Sequence, residues 1–406
     1  NTFIVPNVSG NQIAFTPFAR VYSIIFGFFI GAIPLLMFYL LPRLILCKKH
    51  LCYIFYGFLI LIGVLVLVSF ITDGENYLII LKSGFSEAAS RAVPSFIHKN
   101  HFCMLLMLSI FAVIYLDVYK KRWPWLLLFI PILFIELFTF AKMGIFLSAL
   151  LIVAYLIFKL IKIMKKSRDN LVIGLLVGGF ILVLVSVATV FIVNSQAGFL
   201  LRIKNLLINA YENAKETFAS RKIIWDSLIG ALGPSQYLCG FGLAPISYVI
   251  HLVYNFNPAS PEKGVYTIHA HNFVVEALGE GGVLFLLLNL ALVIYLFYIA
   301  LKIRKLNPTL SVVSFMLIIT MLLNGMVESL FIMHDGISLL ADLLVIVPLM
   351  NYYYAHVDQK EMKRRELIYH ASLIKSNKWY LKLNNRYIHN VQINIKREGK
   401  EINEAS

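Results

Sequence analysis

Long apolar runs separated by short polar connections dominate the chain. Nine of them approach or exceed the roughly 20 residues that cross a bilayer as helix: about 20–41, 51–71, 101–119, 123–140, 143–163, 171–194, 283–303, 309–330 and 336–354. The connections alternate in charge. Arg43, Lys48 and Lys49 follow the first run, Lys120, Lys121 and Arg122 the third, Lys159 to Arg168 the fifth, and Lys302, Arg304 and Lys305 the seventh. Every odd-numbered run therefore ends in a basic connection, and the positive-inside rule assigns those connections to the cytoplasm. The expected fold is an all-α polytopic integral membrane protein with an outside N-terminus and a cytoplasmic C-terminus.

This pattern divides the chain into four parts. Residues 1–194 form an N-terminal bundle of six spans, 195–282 a large outside loop, 283–354 three further spans, and 355–406 a basic tail on the inner leaflet. A loop of that length within a bundle is functional rather than idle, and its stretch 200–228 reads as amphipathic helix. The formal net charge of +15 raises the question of nucleic acid, but the 36 Lys and Arg sort by side of the membrane. Much of the charge is topology and calls for no nucleic acid. Four cysteines, Cys47, Cys52, Cys103 and Cys239, lack paired spacing, so neither a disulfide framework nor a zinc site is expected.

The stretch from Tyr266 to Gly282 joins the long loop to the seventh run and brings His269, His271, Asn272, Glu276 and Glu280 to a membrane boundary. Polar groups there are costly unless they face a cavity, a partner or a ligand, which makes this junction the first place to seek a site. Asn272 is a candidate helix N-cap. The amide dipoles behind it would put partial positive charge beside His271, a favourable setting for a phosphate.

At these residues the chain resembles the O-antigen ligase/polymerase superfamily of bacterial surface-polysaccharide enzymes. The resemblance rests on His269-x-His271-Asn272 followed by Glu276 and Leu278-Gly279-Glu280-Gly281. It rests also on Ser220-Arg221 with Trp225, followed by Gly240-Phe241-Gly242, and on His98-Lys99-Asn100 entering a helix. One departure is Thr139-Phe140-Ala141-Lys142, where the family usually has Arg; Lys142 keeps the charge but not the planar fork. The family's dozen or so helices would put three spans ahead of Asn1.

The resemblance implies a glycosyltransferase acting on an undecaprenyl-diphosphate-linked glycan donor at the periplasmic face of the bacterial inner membrane. His271 would be base or hydroxyl-orienting group, and Arg221 the diphosphate clamp. Lys142, Arg202, His269, Asn272, Glu276, Lys99 and Asn100 would contact substrate, with no cofactor and no metal. Partners would be the lipid-linked donor and acceptor, the bilayer, a chain-length regulator and a flippase. Between subtypes the polymerase is favoured, because residues 195–282 carry six Lys/Arg against six Asp/Glu and offer no general attraction for a multiply phosphorylated lipid A-core. The ligase is the alternative, and a polysaccharide transporter or flippase the rival from another class. Against transport stand the concentration of charge at one face and the lack of half-to-half symmetry.

Each residue also has a structural reading. His271 can serve a helix end, and His269 can be a neighbour of it. Arg221 and Arg202 can be solvated charges on an amphipathic helix. Lys142 can snorkel to headgroups, and Lys99 and Asn100 can simply begin a helix. A His-x-His metal site would need Glu276, His251 or His334 as third ligand, and no spacing supports one.

Overall fold

The computed structural model describes residues 4–5, 13–14, 32–82, 93–165, 215, 221–222, 224–226, 228–230, 232–240, 270–327 and 336–376. The expected span at 171–194 and most of the long loop lie outside them. The described chain is helical apart from a two-residue antiparallel pair, Ile4–Val5 with Ile13–Ala14. Its helices are α1 (Ala32–Leu44, π-helical over Leu35–Leu40), α2 (Lys48–Thr72), α3 (Gly74–Lys82), α4 (Lys99–Lys120) and α5 (Phe129–Thr139). There follow α6 (Lys142–Met164), α7 (Pro234–Cys239), α8 (Phe273–Ile303), α9 (Pro308–Gly325), α10 (Gly336–His356) and α11 (Gln359–Ser376).

Among the described residues six helices are long and apolar enough to cross a membrane: α2, α4, α6, α8, α9 and α10. The protein is an all-α polytopic membrane protein. Two of the expected runs form shorter apolar helices. The run at 20–41 is represented by α1, and the run at 123–140 begins as a 3₁₀ segment over Trp123–Leu128 before becoming α5. Pro124 at the start of that segment supplies a fixed φ without losing an intrahelical bond.

Helix α4 is the hub. It packs against α2, α5, α6 and α9, and every residue from Phe102 to Asp117 is buried. The outer helices keep exposed Leu, Ile and Val, such as Ile71 on α2 and Ile294 on α8, as expected of surfaces facing acyl chains. Polar side chains tie the bundle at one end. Asp117 near the end of α4 accepts from the Lys159 ammonium on both oxygens (2.8 and 2.7 Å) and from the Tyr155 hydroxyl at 2.5 Å, both on α6. Nearby on α6, Lys162 donates to the Thr309 hydroxyl at 2.6 Å, next to the start of α9.

The Lys162–Thr309 bond fixes how α6 and α9 run. They are neighbours, and one residue near the end of α6 meets one at the beginning of α9, so they lie antiparallel. Lys142 is then about 30 Å away along α6, and Gly325 about 24 Å away along α9, at 1.5 Å per residue. Both reach the opposite end of the bundle. The same holds for the α8–α9 hairpin, where the Ser311 hydroxyl donates to the Ala300 carbonyl at 2.7 Å and Asn272 meets Met326 at the far end.

The chain divides into two compact units, 1–351 and 352–406. In the first, the Asn351 amide donates to the carbonyls of Pro42 and Ile45 (2.7 and 2.6 Å). In the second, α11 opens with a capping arrangement: the Asp358 carboxylate accepts the Glu361 N–H at 3.1 Å. Glu361 in turn accepts from Arg364 and Arg365.

Candidate active site

The seventh run begins earlier than hydropathy alone places it. Asn272 adopts extended backbone, and its side-chain oxygen accepts the N–H groups of Val274 (2.9 Å) and Val275 (3.3 Å), so α8 starts at Phe273. This is N-capping in the ordinary sense, which satisfies amides the helix cannot satisfy itself. The helix breaks at Gly282, whose φ of 65° is left-handed. Residues 273–281 therefore form an entry segment ahead of the main span.

That segment is held by α7. Gly240, just past α7, has φ 69°, and a Cβ on it would lie 2.2 Å from the Glu280 carbonyl oxygen. A Cβ on Gly282 would lie 2.4 Å from the backbone of Leu238. Two backbones thus meet where only hydrogen side chains fit, and Gly240 and Gly282 are the two halves of one contact.

The catalytic candidates come together at this end. Asn272 donates through Nδ2 to the Met326 carbonyl (3.3 Å), and Arg221 donates through Nη1 to the next carbonyl, Val327. These carbonyls follow the last turn of α9, where unsatisfied C=O groups carry partial negative charge and suit a guanidinium. Arg221 and Trp225 are both helical and spaced i, i+4, so they share a helix face. Trp225 donates its indole N–H to the Ala270 carbonyl at 2.7 Å. Between Ala270 and Asn272 sits His271, half-buried, with a left-handed φ of 50°.

Glu276, expected to contact substrate, is turned inward. It is 1% exposed and its Oε2 accepts the Ala270 N–H at 3.1 Å. Glu280 is also buried. Lys222, beside Arg221, is spent on an exposed pair with Asp226 (2.6 Å).

The remaining candidates begin neighbouring helices at the same end. Lys142 is exposed at the first position of α6, after Phe140 at φ 57°. The corner is built by Glu136 and Thr139: the Thr139 hydroxyl donates to the Glu136 carbonyl (2.7 Å) and accepts the Ala141 N–H (3.2 Å). The Ser148 hydroxyl donates to the buried Glu136 carboxyl at 2.8 Å. Lys99 and Asn100 are half-buried at the start of α4, whose Cys103 sulfur would be 2.4 Å from a Cβ at Gly144. Lys99, Asn100 and Lys142 are thereby adjacent helix starts. Arg202 and His269 lie outside the described residues.

Sequence reasoning missed the anchors. Trp225 was visible as the fourth residue after Arg221, but its partner is a backbone carbonyl, as are those of Arg221 and Asn272. Carbonyls leave no trace in side-chain identity.

Residues 127–290 match the family model described as O-antigen ligase. This match supports kinship of that segment with the O-antigen ligase/polymerase superfamily. The matched segment runs from the 3₁₀ entry to α5, through Lys142, Arg221 and His271, into the main span of α8. No curated protein and no solved structure matches the chain. The match supports a ligase- or polymerase-type function in a multi-pass membrane protein, and the transporter reading finds no support in it.

Proposed function

We infer that the protein is a glycosyltransferase polymerising oligosaccharide repeat units carried on undecaprenyl diphosphate, at the periplasmic face of the inner membrane, with its C-terminus in the cytoplasm. The observation that carries this reading is the meeting of Arg221 and the His271-Asn272 turn on successive carbonyls of one helix end, inside the family-matched segment.

The reaction is a displacement at the anomeric carbon. The acceptor hydroxyl oxygen forms a bond to that carbon as the bond to the diphosphate oxygen breaks, and the electron pair leaves with the diphosphate. His271 takes the hydroxyl proton or orients it. Arg221 neutralises the departing diphosphate, with Lys142 adding charge from the neighbouring helix start. Lys99 and Asn100 line the same end. Protein cations supply the charge stabilisation, so no metal is required.

Polymerisation is favoured over ligation by the loop's charge. Of the six acids in 195–282, Glu276 and Glu280 are withdrawn into the protein, leaving a small excess of base. That is far from the dense positive surface a multiply phosphorylated core calls for. The test is incubation of purified protein with defined lipid-diphosphate-linked repeat units, alone and with lipid A-core. Longer carrier-linked chains are expected; transfer to the core without elongation would establish the ligase instead.

A further inference from the structure

Arg221 and His271 must keep a fixed separation if one holds the leaving group while the other serves the acceptor, yet they belong to different segments of chain. Hydrogen bonds joining their immediate surroundings pass through α9 and through a single residue, Ala270. This residue is fully buried, and both its peptide groups are taken. Its carbonyl receives the Trp225 indole N–H (2.7 Å), from the helix face that carries Arg221. Its N–H is held by the Glu276 carboxylate (3.1 Å), from the first turn of α8.

We propose that Trp225 and Glu276 are a pair of positioning residues that clamp Ala270 from opposite sides and so set the Arg221-to-His271 distance. This deepens the transferase reading and rests on it. His271 needs such a clamp because its left-handed φ is unfavourable by roughly 1–2 kcal/mol for a residue with a Cβ. Without external bonds the turn would relax toward ordinary backbone and carry the imidazole with it. Asn272 secures the turn on the α8 side and to Met326, but it does not touch the Arg221 helix through any described bond. Trp225 does. Glu276 sits one turn into α8, where its carboxylate also faces the positive end of the helix, so the acceptor is held where the dipole favours it.

The clamp has a distinctive kinetic signature. Glu276, expected from the sequence to contact substrate, is instead buried and engaged on Ala270 with Trp225, so loosening the clamp misaligns the reacting groups without removing a binding contact. Misplacement on the order of 1 Å costs up to about 100-fold in rate.

The experiment compares Trp225→Phe, which keeps a ring but removes the N–H, with Glu276→Gln, which keeps an acceptor oxygen, and Glu276→Ala, which does not. Turnover is measured on lipid-diphosphate-linked repeat units, and amide exchange is followed in the peptide containing Ala270. Trp225→Phe and Glu276→Ala should each lower kcat by about 10- to 100-fold with donor KM nearly unchanged. Glu276→Gln should retain most of the rate. The double variant should lose little more than either single one, because both act on one peptide unit. In all cases exchange at Ala270 should rise with the kinetic defect. Losses that appear in KM, or that multiply in the double variant, overturn the clamp. So does unchanged exchange. If wild-type protein makes no product from these substrates, the transferase reading fails, and the exchange measurements still decide whether Trp225 and Glu276 hold Ala270.

Discussion

Arg221 and Asn272 donate to consecutive carbonyls, those of Val327 and Met326, at the end of α9. The loop helix and the start of α8 are therefore registered to one another by a third helix that supplies only backbone.

The first prediction concerns charge at that site. Arg221→Ala and His271→Ala should each lower kcat by about 100-fold or more, the scale of losing a stabiliser of developing charge. Arg221→Lys should recover little, since a point charge cannot replace a planar fork. Lys142→Arg should be tolerated, because Lys142 is exposed at its helix start. Turnover on lipid-linked repeat units checks all four, and full activity in His271→Ala removes that histidine from the mechanism.

Asn272 separates two roles that a single alanine would confound. Asn272→Ala should cost about 1 kcal/mol as a lost cap. Asn272→Asp keeps the oxygen that accepts from Val274 and Val275 but turns the donor toward Met326 into an acceptor. Thermal unfolding in detergent should therefore show α8 capped in the aspartate variant, while turnover falls. Equal stability of the alanine variant and wild type would show the cap to be immaterial.

The glycine contact gives a contrast within one protein. Gly240→Ala and Gly282→Ala each add a left-handed strain of roughly 1–2 kcal/mol to a clash with backbone that cannot move aside. Folded yield and activity should both drop sharply. Gly57→Ala on α2, where nothing lies within 4 Å of the added methyl, should be neutral or stabilising by up to about 1 kcal/mol. Normal activity in Gly282→Ala would show that α7 does not approach α8 as described.

Acid sensitivity is predicted at the end of α2. Burial alone would raise the Asp73 carboxyl, but hydrogen bonds from the Ser95 backbone and hydroxyl and from Thr72 and Asn76 outweigh it and hold the group below its ordinary value. A depressed native pKa contributes stability that is complete above the unfolded value, near 3.9, and is lost as pH falls through the native value. Asp73→Asn should lower stability at neutral pH and flatten the acid limb of an unfolding-versus-pH curve. An unchanged limb would assign the acid transition elsewhere.

At the opposite end, Lys159→Met strands Asp117, which is 4% exposed, while Lys159 itself is 28% exposed. The loss should be about 2 kcal/mol, below the roughly 3–5 of a fully buried pair. Adding Asp117→Asn should restore most of it. A double variant no better than Lys159→Met would mean that the Tyr155 bond, not the charge, matters.

The helical bundle was legible because hydrophobic runs of spanning length report membrane solvation directly. The start of α8 was half legible: Asn272 stood out as a cap, yet Glu276, Glu280 and the glycines diluted the apolar signal of Phe273, Val274 and Val275. Hydropathy therefore moved the span to 283, where the left-handed Gly282 does break it. The inward turn of Glu276 was not legible, since its partner is the backbone amide of Ala270, which side-chain identity does not mark. Likewise nothing in the sequence marks Met326 or Val327 as anchors, and the expected span ran on to 330 across the very residues where α9 stops.

Helix α4 is sealed within the protein from Phe102 to Asp117, while α2 turns Ile60, Leu67 and Ile71 outward. Lipid is a forgiving neighbour and side chains are not. A saturation scan should accordingly find α2 permissive to exchanges among Leu, Ile, Val and Phe along its outer face, whereas in α4 even Leu→Val will register. Genetic intolerance will trace one column through the middle of the bundle, with its open end at Lys99, beside the residues proposed to do the chemistry.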